Sequence, residues 1–178
     1  MNINWTDITL EDLAGYLSKT LRKEGIDLIL VGGACVTIYS KNRYQSQDLD
    51  FITYEDLSKV KKALLKLGFE QKDKYFRRDG CPWIVEFVSP PVVIGQESIL
   101  TFSHVKTKLG TIKLLRPVDS VKDRLASFYY WNDREGLQQS IDICLETHDI
   151  DFGELEAWSK NEGHLKKFHI FLDRFKRS

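Results

Sequence analysis

Three acidic residues lie inside two apolar runs of this sequence and could serve one chemical task. Asp48 and Asp50 flank a leucine in the run DLDFIT, and Glu86 interrupts the run WIVEFV. Alternate residues of a strand point to the same face, so the two aspartates would project together, away from Leu49 and Phe51. Carboxylates this close repel one another unless a cation lies between them. Mg²⁺, which takes one or two carboxylates together with phosphate oxygens, is the simplest candidate.

Glu86 also requires a cationic partner, because an unpaired carboxylate in a buried strand is strongly destabilising. That partner is either a lysine or arginine or the same cation that Asp48 and Asp50 would hold. A solvated strand edge is the ordinary alternative for the aspartate pair. If a phosphate-binding turn lay beside them, three carboxylates on two strands would suit phosphoryl or nucleotidyl transfer with two metal ions.

A diglycine follows the apolar run that precedes the aspartates. Residues 26–31 (IDLILV) lead into Gly32 and Gly33, after which a short helix is expected. Glycines let a phosphate approach the backbone closely, and a helix start offers backbone N–H groups to an anion. A tight strand-to-helix turn without a ligand is the alternative. The following residues, ACVTI, exclude a Walker loop, and no GxGxxG pattern occurs.

Hydrophobic spacing predicts the elements that would position these residues. The segment 54–69 is expected to form an amphipathic helix that ends at Gly68, with Leu57, Val60, Leu64 and Leu67 as its apolar stripe. The other expected helices and strands are a helix over 10–23 capped by Thr9, strands over 26–31 and 48–53, strands over 69–78 and 82–89 joined at Asp79–Gly80, a strand near 112–115, and helices from Pro117 onward. The fold class is therefore α/β (α+β): a small mixed β-sheet core flanked by helices, with a helical C-terminal region. The expected domains are residues 1–116 and 117–178.

Composition narrows the class of protein. The 178 residues fit one domain or a compact core with a small helical annex, and 26 basic residues balance 26 acidic ones, which argues against a strongly basic nucleic-acid binder. Three cysteines without CxxC spacing favour reduced thiols over a zinc site or a disulfide scaffold. The N-terminus is polar and acidic and no run is apolar enough to span a membrane, so we expect a cytoplasmic protein with no membrane partner.

Together these motifs resemble the DNA polymerase beta-type nucleotidyltransferase superfamily. The shared pattern is a strand, Gly32-Gly33, a short helix, Ser46-x-Asp48-Leu49-Asp50-Phe51, and Glu86 within IVEFV. The likeness is greatest to minimal prokaryotic members, including nucleotidyltransferases of toxin–antitoxin and abortive-infection systems. It covers residues 25–145, in which residues 115–143 look like the downstream helices of the family.

The resemblance implies a set of roles. Gly32 and Gly33 would hold the triphosphate and Ser46 could touch phosphate, while three carboxylates would be catalytic and metal-binding: Asp48, Asp50 and Glu86. It further implies Mg²⁺, with two ions expected and Mn²⁺ as a substitute, and an NTP such as ATP as donor. The acceptor would be a hydroxyl of RNA, of a protein or of a small molecule. Since Mg²⁺ only partly offsets the triphosphate charge, Lys122 and Arg124 are expected to bind the nucleotide; a solvated helix face is their alternative.

Departures from the family pattern leave a second function open. Gly33 stands where many transferring members have serine, Glu86 where aspartate is commoner, and Arg124 where many relatives have lysine. A catalytically silent module that binds a nucleotide or a partner protein, such as an antitoxin component, would look the same. A Mg²⁺-dependent phosphohydrolase also fits the carboxylates but accounts poorly for the diglycine.

Overall fold

The computed structural model describes residues 3–178 of the chain. These residues contain seven α-helices: α1 (Leu10–Lys23), α2 (Gly33–Tyr39), α3 (Leu57–Lys66), α4 (Pro117–Trp131), α5 (Arg134–Glu146), α6 (Phe152–Asn161) and α7 (Leu165–Lys176). The same residues contain nine strands: β1 (Ile29–Val31), β2 (Asp48–Ile52), β3 (Glu70–Lys72), β4 (Tyr75–Arg77), β5 (Ile84–Val88), β6 (Val93–Ile94), β7 (Glu97–Ser98), β8 (Ser103–Lys106) and β9 (Thr111–Leu114).

Seven of these strands form one mixed sheet in the order β3-β4-β5-β2-β1-β9-β8. The pairs β2–β5 and β1–β9 are parallel, and the other neighbouring strands run antiparallel. The mixed sheet with flanking helices and a helical C-terminal part confirms the predicted fold class.

The sheet belongs to a first compact unit. This unit comprises the described residues up to Ala34 together with Ser46–Pro91 and Phe102–Leu114. Helix α1 packs against β9 and helix α3 against β3. Apolar side chains of the helices and of the central strands are fully buried, among them Leu13, Leu17, Leu49, Phe51 and Val85.

Helix α1 has the bounds that the sequence predicts. Its apolar residues recur every three or four positions, and Leu10, Leu13, Leu17 and Leu21 are all buried. Thr9 caps the helix, because its Oγ1 accepts a hydrogen bond from the backbone N–H of Asp12 at 3.1 Å.

A second compact unit contains the helical C-terminal part. It comprises Cys35–Gln45, Val92–Thr101 and Leu115–Ser178. Helix α4 packs along α5, α7 contacts both α5 and α6, and the two-stranded β6–β7 hairpin adjoins α4. The domain boundary predicted at residue 116 stays a prediction, since these units are clusters of packed segments.

The predicted strand over 69–78 is wrong in one respect. Residues 70–77 form two short antiparallel strands, β3 and β4, with a turn at Asp73–Lys74. Asp73 has φ +56°, a left-handed conformation that aspartate tolerates better than most residues. The turn expected at Asp79–Gly80 does lie between antiparallel neighbours, because β4 pairs with β5.

Four elements, β1, β2, α3 and β5, are shorter than predicted, and the difference is largest for β1 and α3. The first strand covers Ile29–Val31 rather than residues 26–31, and helix α3 covers Leu57–Lys66 rather than 54–69. The predicted apolar stripe of α3 fails at Leu57, which is 59% exposed, because the first turn of the helix extends beyond the core. Within the described residues no helix is both long and apolar enough to cross a membrane.

Candidate functional site

The three acidic residues converge in the folded chain. Asp48 and Asp50 lie on β2 and Glu86 on β5, and one carboxylate oxygen of each lies within 4.8 Å of the others. The register of the parallel pair explains this arrangement, since Asp50 is the direct partner of Glu86 and Asp48 that of Ile84. All three side chains are partly exposed. We call these three residues the carboxylate cluster.

Alternation along the two strands puts the cluster on the outer face of the sheet. Leu49, Phe51 and Val85 are fully buried on the opposite face. The ring centroids of Phe51 and Phe87 are 6.1 Å apart, so the strands are held together in the core directly beneath the cluster. Burial of the apolar residues thus determines where the carboxylates point.

Ser46 holds one member of the cluster. Its hydroxyl donates a hydrogen bond of 2.8 Å to Oδ1 of Asp48, and the serine itself is only 3% exposed. A buried donor at this distance restricts the rotamer of the aspartate. Ser46 is therefore an orienting residue for Asp48, and the phosphate contact predicted for it stays a prediction.

Gly32 lies against the second aspartate. Val31 is the pairing partner of Asp50, and a Cβ atom built on Gly32 would lie 2.7 Å from Oδ2 of Asp50. Gly32 also has φ +66°, a backbone conformation that favours glycine. Any other residue here would push Asp50 away, so the diglycine and the carboxylate cluster form one site. Gly33 begins α2.

Glu86 lies next to a lysine, Lys74, in addition to the two aspartates of the cluster. Nζ of Lys74, in the β3–β4 turn, lies 2.8 Å from Oε1 of Glu86. The ion pair with Glu86 raises the pKa of Lys74 above its ordinary value. The sequence left open whether a basic residue or a shared cation would neutralise Glu86; the structure supplies the basic residue next to the cluster. Sequence reasoning missed Lys74 because it assigned this turn to the middle of a strand.

Comparison with known proteins bears on the fold. No family model and no curated protein matches this sequence. The crystal structure of an antigenic nucleotidyltransferase-like protein from Paracoccidioides brasiliensis superimposes with a TM-score of 0.59 and 17% identity, covering 76% of this chain and 75% of that one.

The chain has a nucleotidyltransferase fold.

Two structures of the antibiotic-resistance factor ANT(2'')-Ia are similar over almost their whole length. Its solution structure has a TM-score of 0.51 at 13% identity, covering 98% of this chain and 97% of that one. Its crystal structure in complex with adenylyl-2''-tobramycin has a TM-score of 0.52 at 12% identity, covering 95% of this chain and 98% of that one. At these identities the likeness describes the nucleotidyltransferase fold.

In this nucleotidyltransferase fold, Lys122 lies on α4 and is only 1% exposed. Its ammonium group lies 2.8 Å from Oε2 of Glu97 and 2.7 Å from Oε1 of Glu154. Burial alone would lower the pKa of Lys122, but the hydrogen bonds to Glu154 and Glu97 raise it above the ordinary value. The ammonium is therefore charged and has carboxylate partners within the second unit.

Arg124 is engaged in a similar way. Its guanidinium pairs with Asp123 and donates a hydrogen bond of 3.3 Å to Oε1 of Gln139. Burial would lower the pKa of Arg124, and the neighbouring carboxylate of Asp123 more than compensates. The triphosphate contacts expected of Lys122 and Arg124 stay predictions.

Lys122 belongs to an ion-pair network that the sequence did not predict. Arg116 makes two hydrogen bonds to the fully buried Asp119, at 2.6 and 2.8 Å, and a third to Oε1 of Glu154 at 2.8 Å. Arg116, the N-cap residue of α4, is followed at intervals of three by Asp119 and Lys122, and this spacing was the available signal. This network ties α4 to α6 within the second unit.

Proposed function

We propose that the protein is a Mg²⁺-dependent nucleotidyltransferase that transfers NMP from an NTP to an acceptor hydroxyl. The observation that carries the proposal is the convergence of Asp48, Asp50 and Glu86 within 4.8 Å beside Gly32, on a nucleotidyltransferase fold. In such a reaction the acceptor oxygen would bond to the α-phosphorus, the bond to pyrophosphate would break, and the acceptor proton would leave.

The donor set suits a hard divalent cation. Three carboxylates offer oxygen ligands only, which is the chemistry that Mg²⁺ and Mn²⁺ accept. The close fit of Asp50 against Gly32 and the hydrogen bond from Ser46 to Asp48 hold two of the ligands in place. Two Mg²⁺ bound here would neutralise charge on the triphosphate and increase the acidity of the acceptor hydroxyl.

The protein itself would contribute positioning and charge. Gly32 and Gly33 would present backbone N–H groups to the triphosphate, because no Cβ atom keeps the phosphates away. Glu86 would help to hold the cation at the acceptor side or accept the acceptor proton. Since the nucleophile comes from the substrate, catalysis needs no serine or cysteine of this chain.

The alternative is a catalytically silent module that binds nucleotide or a partner protein, as in an antitoxin component. One observation favours it: Lys122 and Arg124, the cations predicted to bind the triphosphate, both have acidic partners in the second unit. Three clustered carboxylates favour the enzyme, because a silent module gains nothing from their mutual repulsion.

A transfer assay separates the two functions. The protein is incubated with each labelled NTP and Mg²⁺, in parallel with RNA, a protein extract, and small alcohols that include tobramycin. Tobramycin is included because ANT(2'')-Ia crystallised with its adenylylated form. We expect label in one acceptor class, and no label with the double variant Asp48→Asn/Asp50→Asn.

The matched control is Asp149→Asn/Asp173→Asn, which removes two exposed carboxylates outside the cluster. Equal labelling by the wild type and by Asp48→Asn/Asp50→Asn would refute the proposed site. If no acceptor is labelled but calorimetry detects Mg²⁺-dependent nucleotide binding, the result favours the catalytically silent binding module.

A further inference from the structure

A positively charged side chain of the protein itself lies beside the carboxylate cluster. Nζ of Lys74 is 2.8 Å from Oε1 of Glu86 and 4.9 Å from the ring centroid of Tyr75. Glu86 is the cluster member on β5, so one of the three carboxylates is already bound to an ammonium group. Sequence motifs do not assign this lysine any role.

Strand register brings Lys74 to this position. Tyr75 is the pairing partner of Glu86 across β4 and β5, and it is also the partner of Lys72 across β3 and β4. The turn that joins β3 and β4 thus places its second residue, Lys74, next to the strand position of Glu86. The left-handed φ of Asp73 makes the turn this tight.

The ammonium group can leave this position easily. The side chain of Lys74 is 63% exposed, whereas that of Glu86 is 18% exposed. An exposed lysine loses little hydration when it pairs and regains water when it leaves, so the ion pair is weak. A single positive charge also offsets only one of the three carboxylates, while a divalent cation can interact with all of them at short range.

We propose that Lys74 is a built-in counter-cation of Glu86 that a divalent cation must displace, so that this residue sets the metal affinity of the carboxylate cluster. The inference rests on the proposed function, since it concerns the same cluster. Lys74 is a positioning residue: it acts on the site through Glu86. Its presence weakens metal binding, because the ammonium competes for Oε1 and repels the incoming cation.

Mn²⁺ binding without nucleotide tests the proposal, with free Mn²⁺ measured by electron paramagnetic resonance. We expect Lys74→Ala to bind Mn²⁺ about three- to tenfold more tightly than the wild type at low salt, and the difference to shrink at high salt. Lys74→Arg keeps the charge and should bind as the wild type does. Lys72→Ala is the matched control: it removes a charge from the same hairpin, and Lys72 makes no ion pair with any described residue.

A double-mutant cycle with Glu86→Gln tests whether Lys74 changes the Mn²⁺ affinity through Glu86. If Lys74 acts through Glu86, the change Lys74→Ala should no longer tighten Mn²⁺ binding when Glu86 is glutamine. Circular dichroism and thermal unfolding of each variant establish that it is folded before affinities are compared.

The outcomes separate this inference from the proposed function. Equal Mn²⁺ affinity of wild type and Lys74→Ala, with binding lost in Asp50→Asn, would overturn the role of Lys74 and leave the metal site standing. The same holds if Lys72→Ala tightens binding as much as Lys74→Ala. Folded wild type and folded Lys74→Ala that both fail to bind Mn²⁺ would overturn this inference and the metal dependence of the proposed function together.

Discussion

Asp50 on β2 and Glu86 on β5 are direct partners across two parallel strands, and both side chains leave the sheet on the face opposite to the core. Adjacent strands lie about 4.8 Å apart, so in-register carboxylates on neighbouring strands are within the span of one bound cation. The third carboxylate, Asp48, is two residues before Asp50 and therefore on the same face. This arrangement leads to three predictions, and the ion-pair network of the second unit leads to a fourth.

The change Asp50→Asn should abolish activity without loss of stability. Removing one charge from the cluster relieves repulsion among the carboxylates, so the free energy of unfolding should stay the same or rise slightly. NMP transfer should fall by at least about 100-fold, because a ligand of the proposed metal site is lost. Asp173→Asn, at an exposed position of α7, is the control. Wild-type transfer rates in Asp50→Asn would contradict the proposed site.

Substitution of Gly32 should damage the site more than the backbone strain alone explains. In Gly32→Ala the new Cβ atom would lie 2.7 Å from Oδ2 of Asp50, in addition to the strain at φ +66°. We expect a stability loss of about 1–2 kcal/mol together with at least tenfold weaker Mn²⁺ binding, measured by denaturation and by calorimetry.

Gly80→Ala is a matched control for this change. Gly80 has φ +75°, yet a Cβ atom added to it would lie 3.9 Å from its nearest neighbour, Oγ1 of Thr6. It should show a similar stability loss and normal Mn²⁺ binding. If both variants bind Mn²⁺ normally, contact between Gly32 and Asp50 does not organise the site.

Removal of the Ser46 hydroxyl should loosen Asp48. In Ser46→Ala the 2.8 Å hydrogen bond to Oδ1 of Asp48 is lost, so the carboxylate samples other rotamers. Loss of an orienting contact of this kind weakens metal binding about tenfold or more. Ser18→Ala is the control, because Ser18 is equally buried and its Oγ has no hydrogen-bond partner among the described residues. Equal Mn²⁺ affinity in the two variants would refute the role of Ser46.

Because of the ion-pair network of the second unit, the free energy of unfolding should decrease as the pH falls into the acidic range. Partial burial would raise the pKa of Glu154, but hydrogen bonds from Lys122 and Arg116 outweigh burial and hold it below the ordinary value of 4.5. The folded state thus binds fewer protons than the unfolded state in this range, so stability rises with pH. The contribution of Glu154 is present above about pH 4.5 and is lost as the pH falls through its folded-state pKa.

Urea unfolding at a series of pH values measures this contribution. Glu154→Gln should be less stable than the wild type by on the order of 1 kcal/mol at neutral pH, and its stability should decline less on acidification. Glu156→Gln, an exposed change on the same helix, should follow the wild-type curve. Parallel pH profiles of wild type and Glu154→Gln would show that the network does not stabilise the fold.

Helix bounds and caps that depend on neighbouring residues were predictable from the sequence. The bounds of α1 and its Thr9 cap were predicted, because hydrophobic spacing and capping depend on neighbours only a few residues away. The apolar stripe of α3 predicts a buried Leu57, but Leu57 is exposed, since the end of such a stripe depends on how far the sheet extends. The β3–β4 turn was missed because Asp73–Lys74 has no glycine to mark its left-handed residue.

Which side chains share a face of each strand can be read from the chain alone, because the period of two places Asp48 with Asp50 and buries Leu49 and Phe51 opposite them. The sequence also shows that Gly32 precedes α2. Glycine has no Cβ atom and therefore adopts the positive φ of this position without strain. The folded chain was needed to show that β5 lies beside β2 in parallel register and that Lys74 pairs with Glu86. Strand order and register depend on packing between segments distant in the chain, and such long-range contacts leave no periodic signal in the sequence.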